Sequence, residues 1–259
     1  MDTFDSDISQ SLQILKDQLS ELVNYALESR TERYQRLNDQ LSRKELWLRP
    51  AVGGISAISC HGKTPQLGVR LSTRDPERQI KEKRLSRPAR PTPEKELQSW
   101  LIRNARKSGG RLTLLGDFLG GQYWFVSDEI AVKTKSRKIV ADLLLVKIDA
   151  EGQACLVNAE LKSGRVMETF KQVIRFRAVL EHPDLQSIWR RFAEIMTGET
   201  FKWQQSLETR GIVVWPALSS SSVSALANRK RQEYERVDLI GYREIHEYSL
   251  DCEKLTEMA

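Results

Sequence analysis

The first apolar pattern in the chain is a seam: Ile8, Leu12, Leu15, Leu19, Leu22 and Ala26 recur at alternating steps of four and three. That spacing puts them on one stripe of a helix, as the a and d positions of a coiled coil or helical hairpin. A weaker continuation runs through Leu37, Leu41 and Leu48. So short a repeat does not hold a free helix in water, so the stripe is expected to be buried. Its cover would be a partner helix, the remainder of the chain, or a second copy in a homodimer or higher oligomer. Pro50, Gly53, Gly54 and Gly62 then interrupt helical continuity, and an Arg/Pro-rich stretch from Leu85 to Pro93 reads as a linker. The expected organisation is a helical arm over residues 1–48, a basic Pro/Gly-containing linker over 49–91 and a main domain over 92–259.

Past residue 92 the periodicity changes. Glu94 to Ala105 carries Leu97, Trp100, Leu101 and Ala105 on one helical face, with Thr92 and Pro93 suited to start the helix. Short β-like runs follow at Leu112–Leu115, Tyr123–Val126 and Ile130–Val132, and stronger strands at Ile139–Ile148 and Ala154–Leu161. Helices are predicted over Val166–Leu180 and Leu185–Met196, then a strand at Gly211–Trp215, a helix around Val223–Glu235 and a strand at Leu239–Tyr242. This order predicts an α/β domain, a mixed sheet flanked by helices.

Composition narrows the class. The 259 residues are 40% hydrophobic and 29% charged, enough apolar matter for one full core. No window reaches the roughly 18 uninterrupted apolar residues of a membrane helix, and the acidic start MDTFDSDIS lacks the order of a signal peptide. The expectation is a cytoplasmic protein with no membrane association. Cys60, Cys155 and Cys252 are scattered, with neither disulfide nor zinc spacing. The net charge of +6 is concentrated: from Lys63 to Thr92, nine basic residues stand against three acidic ones, a difference of six. Such a segment is either a solvated linker or a contact for a phosphate backbone.

Candidate chemistry lies on the two strongest strands. They are joined by Asp149-Ala-Glu-Gly152, which suits a type I turn followed by a left-handed glycine. That turn pairs Asp149 with Gln153, so Asp142 falls opposite Glu160 and Val140 opposite Lys162. Facing residues on antiparallel strands point the same way, so Asp142, Glu160 and Lys162 share one face. The other face holds Ala141, Leu143, Leu145, Val157, Ala159 and Leu161, and a slip of one residue would drive the acids into the core. Adjacent carboxylates repel unless a cation lies between them, and oxygen ligands without nearby His or Cys favour Mg²⁺ or Mn²⁺. A lysine beside them can hold or deprotonate an attacking water. The same three residues can equally form a cross-strand ion pair on a solvated sheet face.

Asp142, followed 18 residues later by Glu160-Leu-Lys162 at the end of the next strand, resembles the motif of the PD-(D/E)xK nuclease superfamily. Ala141 stands where the nominal proline would be. The preceding helix, Glu94-Lys-Glu-Leu-Gln98, resembles the helix that supplies an extra acid in many of these enzymes. Glu94 shares a face with Gln98 and Leu101 and is preferred over Glu96, with Asp128 and Glu129 as competitors for that role. Lys171-Gln172-Val-Ile-Arg175 resembles the family's glutamine-containing motif. The resemblance covers about residues 92–245 and is closest in arrangement to Shedu-type antiviral nucleases and restriction endonucleases. It implies a restriction-endonuclease-like fold and a metal-dependent DNA endonuclease acting in defence against foreign DNA. The implied catalytic set is Asp142, Glu160, Lys162, Glu94 and Gln172, with metal on Asp142 and Glu160 and DNA held by Arg165, Lys171 and Arg175. A non-catalytic nucleic-acid-binding or scaffold protein on the same fold is the alternative.

Other motifs are weaker. Gly62-Lys-Thr64 lacks the first glycine of a phosphate loop, since Ala57 occupies that position. His61, His182 and His246 are isolated, and Trp100 and Trp189 fall in apolar periodic runs that suit a core. Trp203, beside Lys202 and Gln204, could stack on a base, although packing is the commoner use.

Overall fold

A computed structural model describes residues 3–42, 46–59, 66–71, 92–162, 168–216, 236–245 and 250–254. The chain opens with helices α1 (Thr3–Gln10), α2 (Leu12–Ser29) and α3 (Glu32–Ser42), followed by strands β1 (Leu46–Ala51), β2 (Gly54–Ser59) and β3 (Gln66–Leu71). Next come α4 (Pro93–Lys107), α5 (Thr113–Leu119), β4 (Gln122–Lys133), β5 (Lys138–Ile148) and β6 (Ala154–Leu161). Helices α6 (Glu168–Glu181) and α7 (Pro183–Thr197) lead to β7 (Arg210–Pro216), β8 (Val237–Ile245) and β9 (Leu250–Lys254). Strands β4 to β9 form a six-stranded sheet in sequence order. It is mixed: β6 pairs parallel with β7, and β7 with β8, while the other neighbours are antiparallel. The architecture is α/β, a mixed sheet flanked by helices.

Each face of the sheet has its own core. Leu143, Leu145, Val157, Ala159 and Leu161 pack with Leu97, Trp100, Leu101 and Ala105 of α4 and with Leu115 of α5. Ala141, expected with them, groups instead with Ile130, its partner across the β4–β5 ladder, in the cluster on the other face. That second cluster joins Leu144, Val146 and Leu156 to Phe176, Trp189 and Phe192 of α6 and α7. The central strand β6 is buried along its whole length, so its apolar pattern is nearly continuous rather than alternating.

The N-terminal seam enters this second cluster. Ile8, Leu15, Leu19, Leu22 and Ala26 are buried against Trp189, Phe192 and Ala193 of the same chain. Of the three possible covers for the seam, the chain's own domain is the one observed. The apolar stripe that suggested an oligomer contact is thus occupied within the chain itself. Burying so many side chains against one core is worth far more than a short exposed coiled coil could supply. The Leu37 continuation belongs to a separate small core, with Tyr34, Ile55 and Leu71.

The expected linker over 49–91 is corrected in its described part. Residues 46–59 and 66–71 form an antiparallel three-stranded sheet, with β2 in the middle. Gly53 takes a φ of 82°, which permits the tight β1–β2 connection that the glycine pair suggested only as a break. The Arg/Pro-rich stretch and the helix expected around Val223–Glu235 lie outside the described residues.

Two local expectations fail for identifiable reasons. Leu112–Leu115 is not a strand. Leu115 and Leu119, four apart, bury one side of helix α5, and a short apolar run does not distinguish the two periods. The runs at Tyr123–Val126 and Ile130–Val132 are one strand, interrupted by a bulge between Phe125 and Ser127 and by a φ of 49° at Glu129. The expected start of the helix after Thr92 is observed. Thr92 caps α4 by accepting from the Lys95 amide with Pro93 in the first turn, and His182 caps α7 by accepting from the Asp184 amide.

Candidate active site

The β5–β6 hairpin sets the site. The amide of Gly152 donates to the carbonyl of Asp149 at 3.1 Å, Gly152 has a φ of 74°, and the Asp149 carboxylate accepts the Gln153 amide at 2.7 Å. This is the turn predicted from sequence, and the register follows: Ile148 faces Ala154 and Leu143 faces Ala159. Continuing one residue, Asp142 and Glu160 come together at the end of the ladder.

They are joined there by Lys162. Its Nζ lies 3.4 Å from Asp142 Oδ2 and 3.1 Å from Glu160 Oε2, and the side chains of Asp142 and Glu160 are only 11% and 4% exposed. Asp142 Oδ2 also accepts the backbone amide of Leu161 at 2.7 Å. Glu160 Oε1 has no hydrogen-bond partner although it is buried.

The charges are strongly coupled. Burial pushes the Glu160 carboxyl up to about 8, and the neighbouring charge of Asp142 pushes the same way, against the opposing pull of Lys162. Burial alone would lower the Lys162 ammonium, but the charges of Asp142 and Glu160 outweigh it and hold the lysine above its ordinary value. Glu94 adds to that effect, so the acid expected from α4 acts on the lysine through its charge. Glu94 does not line the cavity in which Asp142, Glu160 and Lys162 stand.

That cavity has a volume of about 200 Å³. Its wall from α6 is made by Gln172 and Arg175, which places two of the sequence candidates beside the acids. Gln172 Oε1 is buried without a partner, and Arg175 donates to Glu168 at 3.1 Å. Lys171 is turned away: 59% exposed, it pairs with Glu168 at 3.0 Å and does not line the cavity. Arg165 lies outside the described residues. Helix α6 is brought close to the sheet by Gly211 on β7, where a Cβ would stand 2.2 Å from Val173 Cγ1. Asn158 on β6 fastens the same helix by donating to the Val173 carbonyl at 3.3 Å.

Asp128 and Glu129 are used elsewhere. Arg49 of β1 donates to Asp128 at 2.7 Å, and Lys95 reaches Glu129 at 2.5 Å. Gln98 bridges both acids through its amide nitrogen. This network, buried at Asp128 and Gln98, fixes β1 and α4 to β4 and leaves neither acid lining the cavity. Trp203 is likewise committed to packing, edge-on to Phe201 with its ring nitrogen donating to Glu194 at 2.8 Å.

Two residues of the cavity were not singled out from sequence: Arg137, just before β5, and Lys138, its first residue. A signal was present. Lys133, Lys135, Arg137 and Lys138 crowd into the turn that immediately precedes the strand of Asp142.

An ion at this site would be held by Asp142 and Glu160, with water completing its shell. Among the described residues no three or more His, Cys, Asp or Glu side chains are grouped so as to hold an ion between them. Two carboxylates with an unpartnered buried oxygen nevertheless fit a hard cation that keeps most of its water. Among the described residues no helix is long and apolar enough to cross a membrane. Comparison of the chain with family models, with curated proteins and with solved structures finds no match.

Proposed function

We propose that this chain is a metal-dependent DNA endonuclease of the PD-(D/E)xK type, built on a restriction-endonuclease-like domain. The observation that carries the reading is the convergence of Asp142, Glu160 and Lys162 in one small cavity, with the buried Glu160 Oε1 unpartnered. An ion pair on a solvated sheet face would leave all three exposed and no carboxylate oxygen unsatisfied. Burying two acids beside one lysine costs stability, and a functional site is the usual reason such an arrangement persists.

Mg²⁺ or Mn²⁺, bound between Asp142 and Glu160, would polarise a phosphate oxygen and acidify a bound water. The chain's own residues do the rest. The Leu161 amide fixes the Asp142 carboxylate, so its free oxygen has a set direction. Glu160 gives up its proton on loading, which its elevated affinity for protons makes pH-dependent. Lys162 keeps its ammonium charge and holds the attacking water while stabilising the charge that develops on the phosphoryl oxygens. Gln172 supports this shell from α6, and Glu94 biases Lys162 by its charge. Arg175 offers a contact to the substrate backbone. Defence against foreign DNA is the setting the resemblance suggests.

The test is cleavage of supercoiled plasmid and short linear DNA with Mg²⁺, by the native protein beside folded Asp142→Ala and Lys162→Ala variants. Loss of cutting in both variants supports the site. A native protein that binds DNA but cuts nothing with either ion would leave a binding or scaffold role on the same fold.

A further inference from the structure

The N-terminal helices do more than fill the core: they hold the turn that carries Arg137 and Lys138. Asp7 Oδ2 on α1 accepts the hydroxyls of Thr134 at 2.7 Å and Ser136 at 2.6 Å, and lies 3.6 Å from Arg137 Nε. Ser11, fully buried between α1 and α2, accepts the amide of Lys135 at 2.9 Å. Gln18 of α2 closes the end of β4 from both sides, donating to the Lys133 carbonyl at 2.8 Å and accepting the Lys133 amide at 2.9 Å. The turn itself is knotted by Thr134, whose amide donates to the Arg137 carbonyl and whose hydroxyl accepts the Arg137 amide.

A turn this firmly held is costly to build for a surface loop, and its cargo is cationic. Lys133 and Lys138 face each other across the β4–β5 ladder, a like-charge pair that is destabilising unless an anion lies near. Arg137 and Lys138 line the same cavity as Asp142, Glu160 and Lys162.

We infer that Arg137 and Lys138 grip the nucleic-acid backbone phosphates flanking the scissile bond, and that Asp7, Ser11 and Gln18 are positioning residues that hold this turn at the cavity mouth. The inference rests on the nuclease reading of the cavity. It gives the N-terminal helices a role in substrate binding. The substrate contact is electrostatic and independent of base sequence.

The experiment uses the full chain and a fluorescent DNA duplex, with Ca²⁺ in place of Mg²⁺, over a range of salt. Arg137→Ala/Lys138→Ala should raise Kd roughly tenfold for each cation lost and lower the slope of log Kd against log salt by about two. Ser11→Ala and Gln18→Ala keep every charge. They should raise Kd about three- to tenfold with the salt slope intact, and speed hydrogen exchange at the Lys133 and Lys135 amides. Under Mg²⁺, both sets should raise KM more than they lower kcat. Unchanged Kd and slope in the double variant overturns the phosphate contact. Faster exchange without a change in Kd overturns the positioning role. If native protein binds but Asp142→Ala still cuts, the cavity reading fails alone, and the binding series still decides the turn. If the native protein binds no duplex at low salt, both readings fall.

Discussion

The amide of Leu161 donates to Asp142 Oδ2 at 2.7 Å, so the carboxylate on one strand is held by the backbone of the next, between Glu160 and Lys162. This bond ties the acid's orientation to the hairpin register rather than to its own rotamer. It also separates two effects of mutation. Above about pH 8, where Glu160 is ionised as well, Asp142→Asn keeps an acceptor for Leu161 and removes one of two repelling charges. The metal-free protein should lose no stability and gain up to about 1 kcal/mol. Lys162→Ala does the opposite, leaving two buried carboxylates without their cation, and should cost roughly 1–3 kcal/mol. Both variants should lose cleavage, Lys162→Ala by about 10²- to 10⁴-fold. Denaturant unfolding beside a cleavage assay checks the pair; equal stability losses in the two variants would contradict the coupling described.

Glu160 supplies a pH signature. Its carboxyl is raised to about 8 in the fold, chiefly by burial, against an ordinary value of 4.5. The folded state therefore holds this proton more tightly than the unfolded chain does. Its contribution to stability is fully present below pH 4.5 and is lost as the pH rises toward 8. In chelator, the metal-free protein should lose up to a few kcal/mol across that window. Glu160→Gln, neutral throughout, should flatten the curve. Unfolding measured at closely spaced pH values tests this; identical curves for native and variant would reject the shift.

What could be read from the sequence was what depends on local chemistry. Asp149 and Gly152 specify a turn, the turn specifies a register, and the register brings Asp142 to Glu160 without any knowledge of the rest of the fold. The helix candidates Gln172 and Arg175 came from the resemblance of Lys171-Gln172-Val-Ile-Arg175 to the nuclease superfamily's glutamine-containing motif. What could not be read depends on what packs where. The seam from Ile8 to Ala26 has the period of a coiled coil whether its cover is another chain or Trp189 and Phe192. Arg137 and Lys138 are ordinary turn cations until the hairpin is folded beside Gln172 and Arg175. Asp128 and Glu129 looked like spare acids because Arg49 and Lys95, distant in sequence, gave no sign of meeting them.

Gly211 links sheet packing to the site. It sits on β7 opposite Asn158, and a Cβ there would stand 2.2 Å from Val173 Cγ1, 3.3 Å from Val237 Cγ2 and 3.4 Å from the Arg177 side chain. Val173 is fully buried on α6, one residue from Gln172 and two from Arg175, so it has no empty volume to retreat into. Gly211→Ala should therefore push α6 off the sheet, costing roughly 1–3 kcal/mol by overpacking. Because Gln172 and Arg175 ride on the same helix, cleavage should fall more than stability alone accounts for, with folded variant still in excess. Val173→Ala made together with Gly211→Ala removes the colliding methyl groups. The double variant should be less destabilised than the two single losses added, a coupling that distinguishes neighbours from independent sites. Thermal unfolding of the four proteins, with cleavage measured below their transitions, gives that coupling directly; simple additivity would mean that the close approach of α6 to β7 does not hold the cavity wall in place.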